Sequence, residues 1–129
     1  MASPPRSLRA VARNPKALAR YLKSRDQREQ PLTTADTARL TKRDALRVAM
    51  AAEKKVSIEY TRKDGQTRQI VARPYSVRRR RGKEYLYVQI DDDRHGSGIH
   101  SLLMPRAIHV ATLGRTPFRP RWPTEPESV

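Results

Sequence analysis

The sequence has 129 residues, 36% of them hydrophobic and 32% charged, and its 28 Lys and Arg against 13 Asp and Glu give a net charge of +15. It has no cysteine, which excludes disulfide frameworks, Cys-ligated zinc, iron–sulfur clusters and thiol catalysis. No apolar run approaches the ~18 residues of a membrane span, and Arg6, Arg9 and Arg13 interrupt any secretory segment, so the chain reads as cytoplasmic with an anionic partner.

Residues 1–44 are rich in Arg, Ala and Leu and read as a basic arm of short helices. Ser3-Pro4-Pro5 suits a helix start, and Leu8, Val11 and Ala12 have helical spacing. Asn14-Pro15 supplies an N-cap and a first helical residue for a second segment carrying Leu18, Tyr21 and Leu22. Helices this short need a surface to dock on, or a partner. Asp26 to Thr34, with Pro31, reads as a linker. Thr41 and Asp44 have capping-box spacing ahead of a helix whose apolar face is Leu46, Ala49 and Met50.

From Val56 the period changes to two, with Val56, Ile58 and Tyr60 on one face. Lys63-Asp64-Gly65 reads as a hairpin turn in which Asp64 and Gly65 take positive φ. A returning strand spans Gln66 to Arg73, and a third starts at Tyr75 and Val77 and runs into Arg78-Arg79-Arg80-Arg81. Gly82 turns it into Tyr85 to Ile90, a polar loop follows from Asp91 to Gly98, and Ile99–Met104 and Ile108–Leu113 are the last strands. One helix and five or six short strands over 45–113 predict a mainly β domain, a small curled sheet or barrel. Residues 114–129, with Pro117, Pro120, Pro123 and Pro126, read as an extended Pro-rich tail.

This pattern resembles the WYL domain of bacterial regulators. The residues that carry the resemblance are Ala51-Ala52-Glu53, Ile58-Glu59-Tyr60, Gly65 with Arg68, Pro74-Tyr75-Ser76-Val77, Glu84-Tyr85-Leu86, His100 through Arg106, then Ile108, Val110 and Phe118. The resemblance implies an Sm-like or SH3-like β-barrel preceded by a capping helix, here as a stand-alone copy behind a basic arm. It also implies a surface of basic and aromatic residues that takes single-stranded nucleic acid or nucleotide-like effectors. Two departures stand out. Glu84 occupies the first position of the name-giving Trp-Tyr-Leu, and His100 and Leu102 stand where the family has an Arg-x-Phe step, while Arg106 keeps the later arginine.

The candidate site follows from charge and ring chemistry. Arg78, Arg79, Arg80 and Arg81, with Lys83, would put several cations at one hairpin tip, either as a phosphate clamp or as a solvated turn. Tyr75 and Tyr85 suit base stacking or a core, whereas Tyr60 continues a core face. Arg68, His100 and Arg106 fit a ligand surface, and Arg13, Lys16, Arg20 and Lys23 of the arm fit phosphate contacts. Asp91-Asp92-Asp93 with His95 lacks Ca-loop spacing, and His109 reads as the outward side of a strand. No nucleophile triad, Gly-rich phosphate loop or HExxH motif appears, so neither catalysis, a metal nor a cofactor is expected.

Two functions follow. The first is a non-enzymatic regulatory or accessory module that binds single-stranded DNA or RNA. The second is an interaction subunit whose arm and tail, with Arg115, Arg119, Arg121 and Trp122, wrap an acidic protein.

Overall fold

Thr41 Oγ1 accepts the backbone N–H of Asp44 at 3.2 Å, and from that cap the helix Lys42–Ala52 (α4) runs with Leu46, Ala49 and Met50 fully buried. The structure, a computed structural model, describes residues 8–30, 32–90, 99–120 and 122–129, with backbone alone at Thr34 and 113–117. Ser3-Pro4-Pro5, Arg6, Pro31, the Asp91–Gly98 loop with its Asp91-Asp92-Asp93 and His95, Arg121 and the Arg115 side chain lie outside the described residues.

The N-terminal helices are α1 (Leu8–Val11), α2 (Pro15–Gln27, capped by Asn14) and α3 (Thr34–Thr37). The linker expected over 26–34 is shorter than its composition suggests. Helix α2 continues through Gln27, and Thr33 and Asp36 form a complete capping box, with Thr33 N–H donating to Asp36 Oδ2 at 2.8 Å and Asp36 N–H to Thr33 Oγ1 at 3.2 Å. At Thr41 only half of the expected box forms. The Asp44 carboxylate instead accepts from Arg47 at 2.6 Å and from Arg13 at 3.4 Å.

Helix α4 ends on Glu53, which takes the left-handed conformation at φ 54°. The strands are β1 (Lys54–Thr61), β2 (Thr67–Arg80), β3 (Lys83–Ile90), β4 (Ile99–Leu103) and β5 (Ala107–Pro117). They form one antiparallel sheet in the order β4-β3-β2-β1-β5. The second and third strands expected from the sequence are one strand of 14 residues. Pro74 does not break it. The pairing slips between Pro74 and Ser76, and this bulge absorbs the missing N–H. Residues 67–72 of β2 pair with β1 and residues 72–80 with β3, with Ala72 shared by both ladders.

The closed barrel is not formed. Edge strands β4 and β5 are joined by a 3-10 turn, Met104–Arg106, and each has its ladder with an inner strand, so the sheet is open. Pro105 in that turn lacks an N–H, and the strands flanking it part instead of pairing. The first hairpin also differs from expectation. Only Gly65 takes positive φ, at 86°, while Asp64 does not, and the Asp64 carboxylate accepts the Gln66 N–H at 3.0 Å. The second hairpin places Arg81 at φ 51° and Gly82 at φ 79° between paired Arg80 and Lys83, a two-residue turn matched to strand twist.

Leu46 and Met50 of α4 pack in one core with Val56, Ile58, Leu86, Val88 and Val110 of the sheet. Leu8, Val11, Ala12, Leu18, Leu32 and Leu40 belong to that same core. The basic N-terminal segment therefore docks on the chain itself and keeps its charges outward. The C-terminal segment also folds back. Phe118 N–H donates to the Glu53 carbonyl at 3.0 Å, Thr124 Oγ1 to the Met50 carbonyl at 2.9 Å and Glu125 N–H to the Tyr75 carbonyl at 2.7 Å. It ends in a 3-10 turn, Pro126–Ser128, where Ser128 Oγ accepts the Val77 N–H at 2.9 Å.

Candidate nucleic-acid interface

Strand alternation divides the arginine run. Arg78 lies opposite Tyr85 and Arg79 opposite Glu84. Cross-strand partners share a face, so Arg78 and Arg80 stand with Tyr85 and Tyr87, while Arg79 stands on the other face. The four guanidiniums expected at one tip are thus split, because a strand reverses its side chains at every residue. Arg78 forms an ion pair with Glu125 of the C-terminal segment, and Arg80 Nη1 lies 3.4 Å from the Tyr87 hydroxyl. That hydroxyl raises the Arg80 pKa. Arg81 and Lys83 are exposed at the turn.

Tyr75 does not offer a ring to a base. It is 4% exposed, and Phe118 and Trp122 cover it edge-on at ring separations of 5.8 and 5.5 Å. The bulge at Pro74–Ser76 turns it toward the C-terminal segment. Tyr85 is half-buried on the outward face, and Leu86 and Val88 fill the core beneath it.

On the Arg79 face, Glu84 is gripped by Arg43 of α4. Arg43 Nη1 donates to Oε2 at 3.1 Å and Nη2 donates to Oε1. The Arg43 hydrogen bonds, with the charges of Arg43, Arg79 and Lys42, hold the Glu84 carboxyl below the usual carboxylate range. Lys42 Nζ donates to the Met104 and Ala107 carbonyls at 2.7 and 3.1 Å, and burial followed by the Arg43 charge lowers its pKa. Arg106 sits in this neighbourhood, lining a hollow with Arg79, Lys83 and Glu84.

His100 lies elsewhere. It lines a cleft of about 750 Å³ between edge strand β4 and the β1–β2 hairpin. Arg68, paired with Tyr60 across β1 and β2, lines the same cleft, as do Arg62, Ile70 and Ile90. The structure therefore brings Arg68 and His100 together and leaves Arg106 outside their cleft. Tyr60 is half-buried, and its hydroxyl accepts the Leu103 N–H at 3.3 Å. Arg62 carried no signal in the sequence, since a turn arginine is ordinary and its relation to β4 depends on the curl of the sheet. Arg13, Lys16, Arg20 and Lys23 are all exposed, the last three on one side of α2 at i, i+4 and i+7. Arg13 also reaches the buried Asp44.

The WYL domain family profile matches residues 41–96. A solved structure of proteasome accessory factor B/C (PafBC) of Arthrobacter aurescens superposes with a TM-score of 0.53 at 18% identity, which shows the shared fold. The superposition covers 60% of this chain and 12% of that one, so this chain spans a small part of that protein's length. No curated protein sequence matches it. Within the WYL match lie α4, the β1–β2 hairpin with Arg62 and Arg68, and the β2–β3 hairpin with its arginine run. Glu84, which also lies within the match, is the residue that Arg43 grips. Among the described residues no helix is long and apolar enough to cross a membrane.

Proposed function

We propose that this protein is a non-enzymatic WYL-type regulatory or accessory module of the cytoplasm that binds single-stranded DNA or RNA. The observation that carries this reading is the β4 cleft. Its volume of about 750 Å³ suits a nucleotide-sized group. Arg62 and Arg68 supply phosphate contacts, and Ile70 and Ile90 give an apolar wall for a base. The exposed cations Lys16, Arg20 and Lys23 and the β2–β3 tip add affinity that does not depend on sequence. The reading in which arm and tail wrap an acidic partner starts from extensions that need something to order them. Here both have buried partners within the chain.

Fluorescence anisotropy with labelled single-stranded DNA, single-stranded RNA and duplex DNA across a salt series tests the proposal. Expected are a preference for one single strand, a steep loss with salt, and a loss of that preference in Arg68→Ala and His100→Ala. Equal binding to all three probes, unchanged in both variants, overturns it.

A further inference from the structure

A second, smaller groove of about 310 Å³ lies between the outward face of β2–β3 and the C-terminal segment. Tyr87 and Trp122 line it, with Ser76 between them on the bulged strand and Arg78 and Glu125 at its rim. Ile99 lines both this groove and the β4 cleft. Trp122 is 45% exposed, although it is the sole tryptophan of a polar chain. Its place is set from both sides. The Phe118 N–H is bonded to the Glu53 carbonyl, the Glu125 N–H to the Tyr75 carbonyl, and the indole and the Tyr75 ring meet in a T-shaped arrangement at 5.5 Å. The groove is thus a pre-formed aromatic slot next to cations. The Glu125 carboxylate already shows Arg78 gripping an oxyanion at its mouth.

We propose that this groove is a subsite for one unpaired nucleobase, which stacks against Trp122 and Tyr87 while the adjoining phosphate replaces Glu125 on Arg78. The proposal rests on the nucleic-acid reading and adds a second contact to it. Aromatic walls favour any base, because every base has a π-face, and the chain's +15 charge favours a polyanion over an apolar peptide at this rim. Glu125 acts as a tethered competitor. It keeps Arg78 paired when the groove is empty and gives way to a phosphate.

The single tryptophan makes the test direct. Trp122 fluorescence is followed in the full chain as oligothymidylate is added, and again with an abasic oligonucleotide of equal length and charge. Expected are saturable quenching by oligothymidylate and little by the abasic strand. Trp122→Ala weakens oligothymidylate binding roughly tenfold by anisotropy, and Glu125→Gln tightens it. Binding seen by anisotropy without tryptophan quenching, or equal quenching by both strands, overturns the base subsite and leaves the cleft reading standing. No binding by anisotropy overturns both. Quenching by an apolar peptide but not by oligothymidylate assigns the groove to a protein ligand and also overturns the proposal.

Discussion

Arg43 in the first turn of α4 and Glu84 at the start of β3 form a two-pronged ion pair across 41 residues of chain. It fastens the tip of the β2–β3 hairpin to the helix. The folded-state pKa of Glu84 is lowered, so this contact stabilises the protein fully above the ordinary carboxylate pKa. The stabilisation fades as pH falls through the folded value. Glu84→Gln is expected to cost about 0.5–1 kcal/mol at pH 7, because both partners are partly solvated. Urea midpoints at pH 7 and pH 3 check this, and the gap between variant and parent should narrow toward the acid end.

Lys42 crosses from α4 to the turn between the two edge strands, where its ammonium meets two carbonyls. Lys42→Met keeps the stem and removes all donors. Both carbonyls then lose the ammonium, while the Met104 carbonyl keeps the Ala107 N–H, for an expected loss of about 1 kcal/mol in chemical denaturation. A change below a few tenths of a kcal/mol would mean that solvent replaces the ammonium there.

Glu53 ends α4 at φ 54°, where a side chain is strained and glycine is not. Glu53→Gly is expected to raise stability by about 0.5–1 kcal/mol, seen as a higher Tm. Glu53→Gln, which removes the charge and keeps the strained side chain, should leave the Tm unchanged, which separates the backbone effect from loss of charge.

Phe118 is buried at the start of the returning C-terminal segment, with its ring on Tyr75. Phe118→Ala is expected to cost about 3 kcal/mol and to release Trp122 from Tyr75, shifting tryptophan emission to the red. Stability loss without the spectral shift would show that the segment stays in place through its backbone hydrogen bonds alone.

Local signals placed most of the elements. Thr41 ahead of Leu46, Ala49 and Met50 marks α4, Asn14-Pro15 marks α2, and Gly65 and Gly82 mark the hairpins. The Thr33–Asp36 box is hard to see in the sequence because its four-residue helix has no apolar period to announce it. Pro74 reads as a break, yet a bulge lets a strand run through it. The site is harder to read for a different reason. Arg68 and His100 come to line one cleft, and Arg43 meets Glu84, only through the curl of the sheet and the packing of α4 on it. Nothing near either residue in sequence encodes such a meeting.

Strand β2 is shared by both hairpins, and the extra residue at Tyr75 sits between its two halves. That one residue sets odd and even for everything beyond it. Remove it, and each later side chain of the strand changes sides relative to the β1–β2 hairpin. Arg78 and Arg80 would turn inward and Val77 and Arg79 outward. Which arginines of the 78–81 run face outward is therefore decided by a single count in the backbone, upstream of that run.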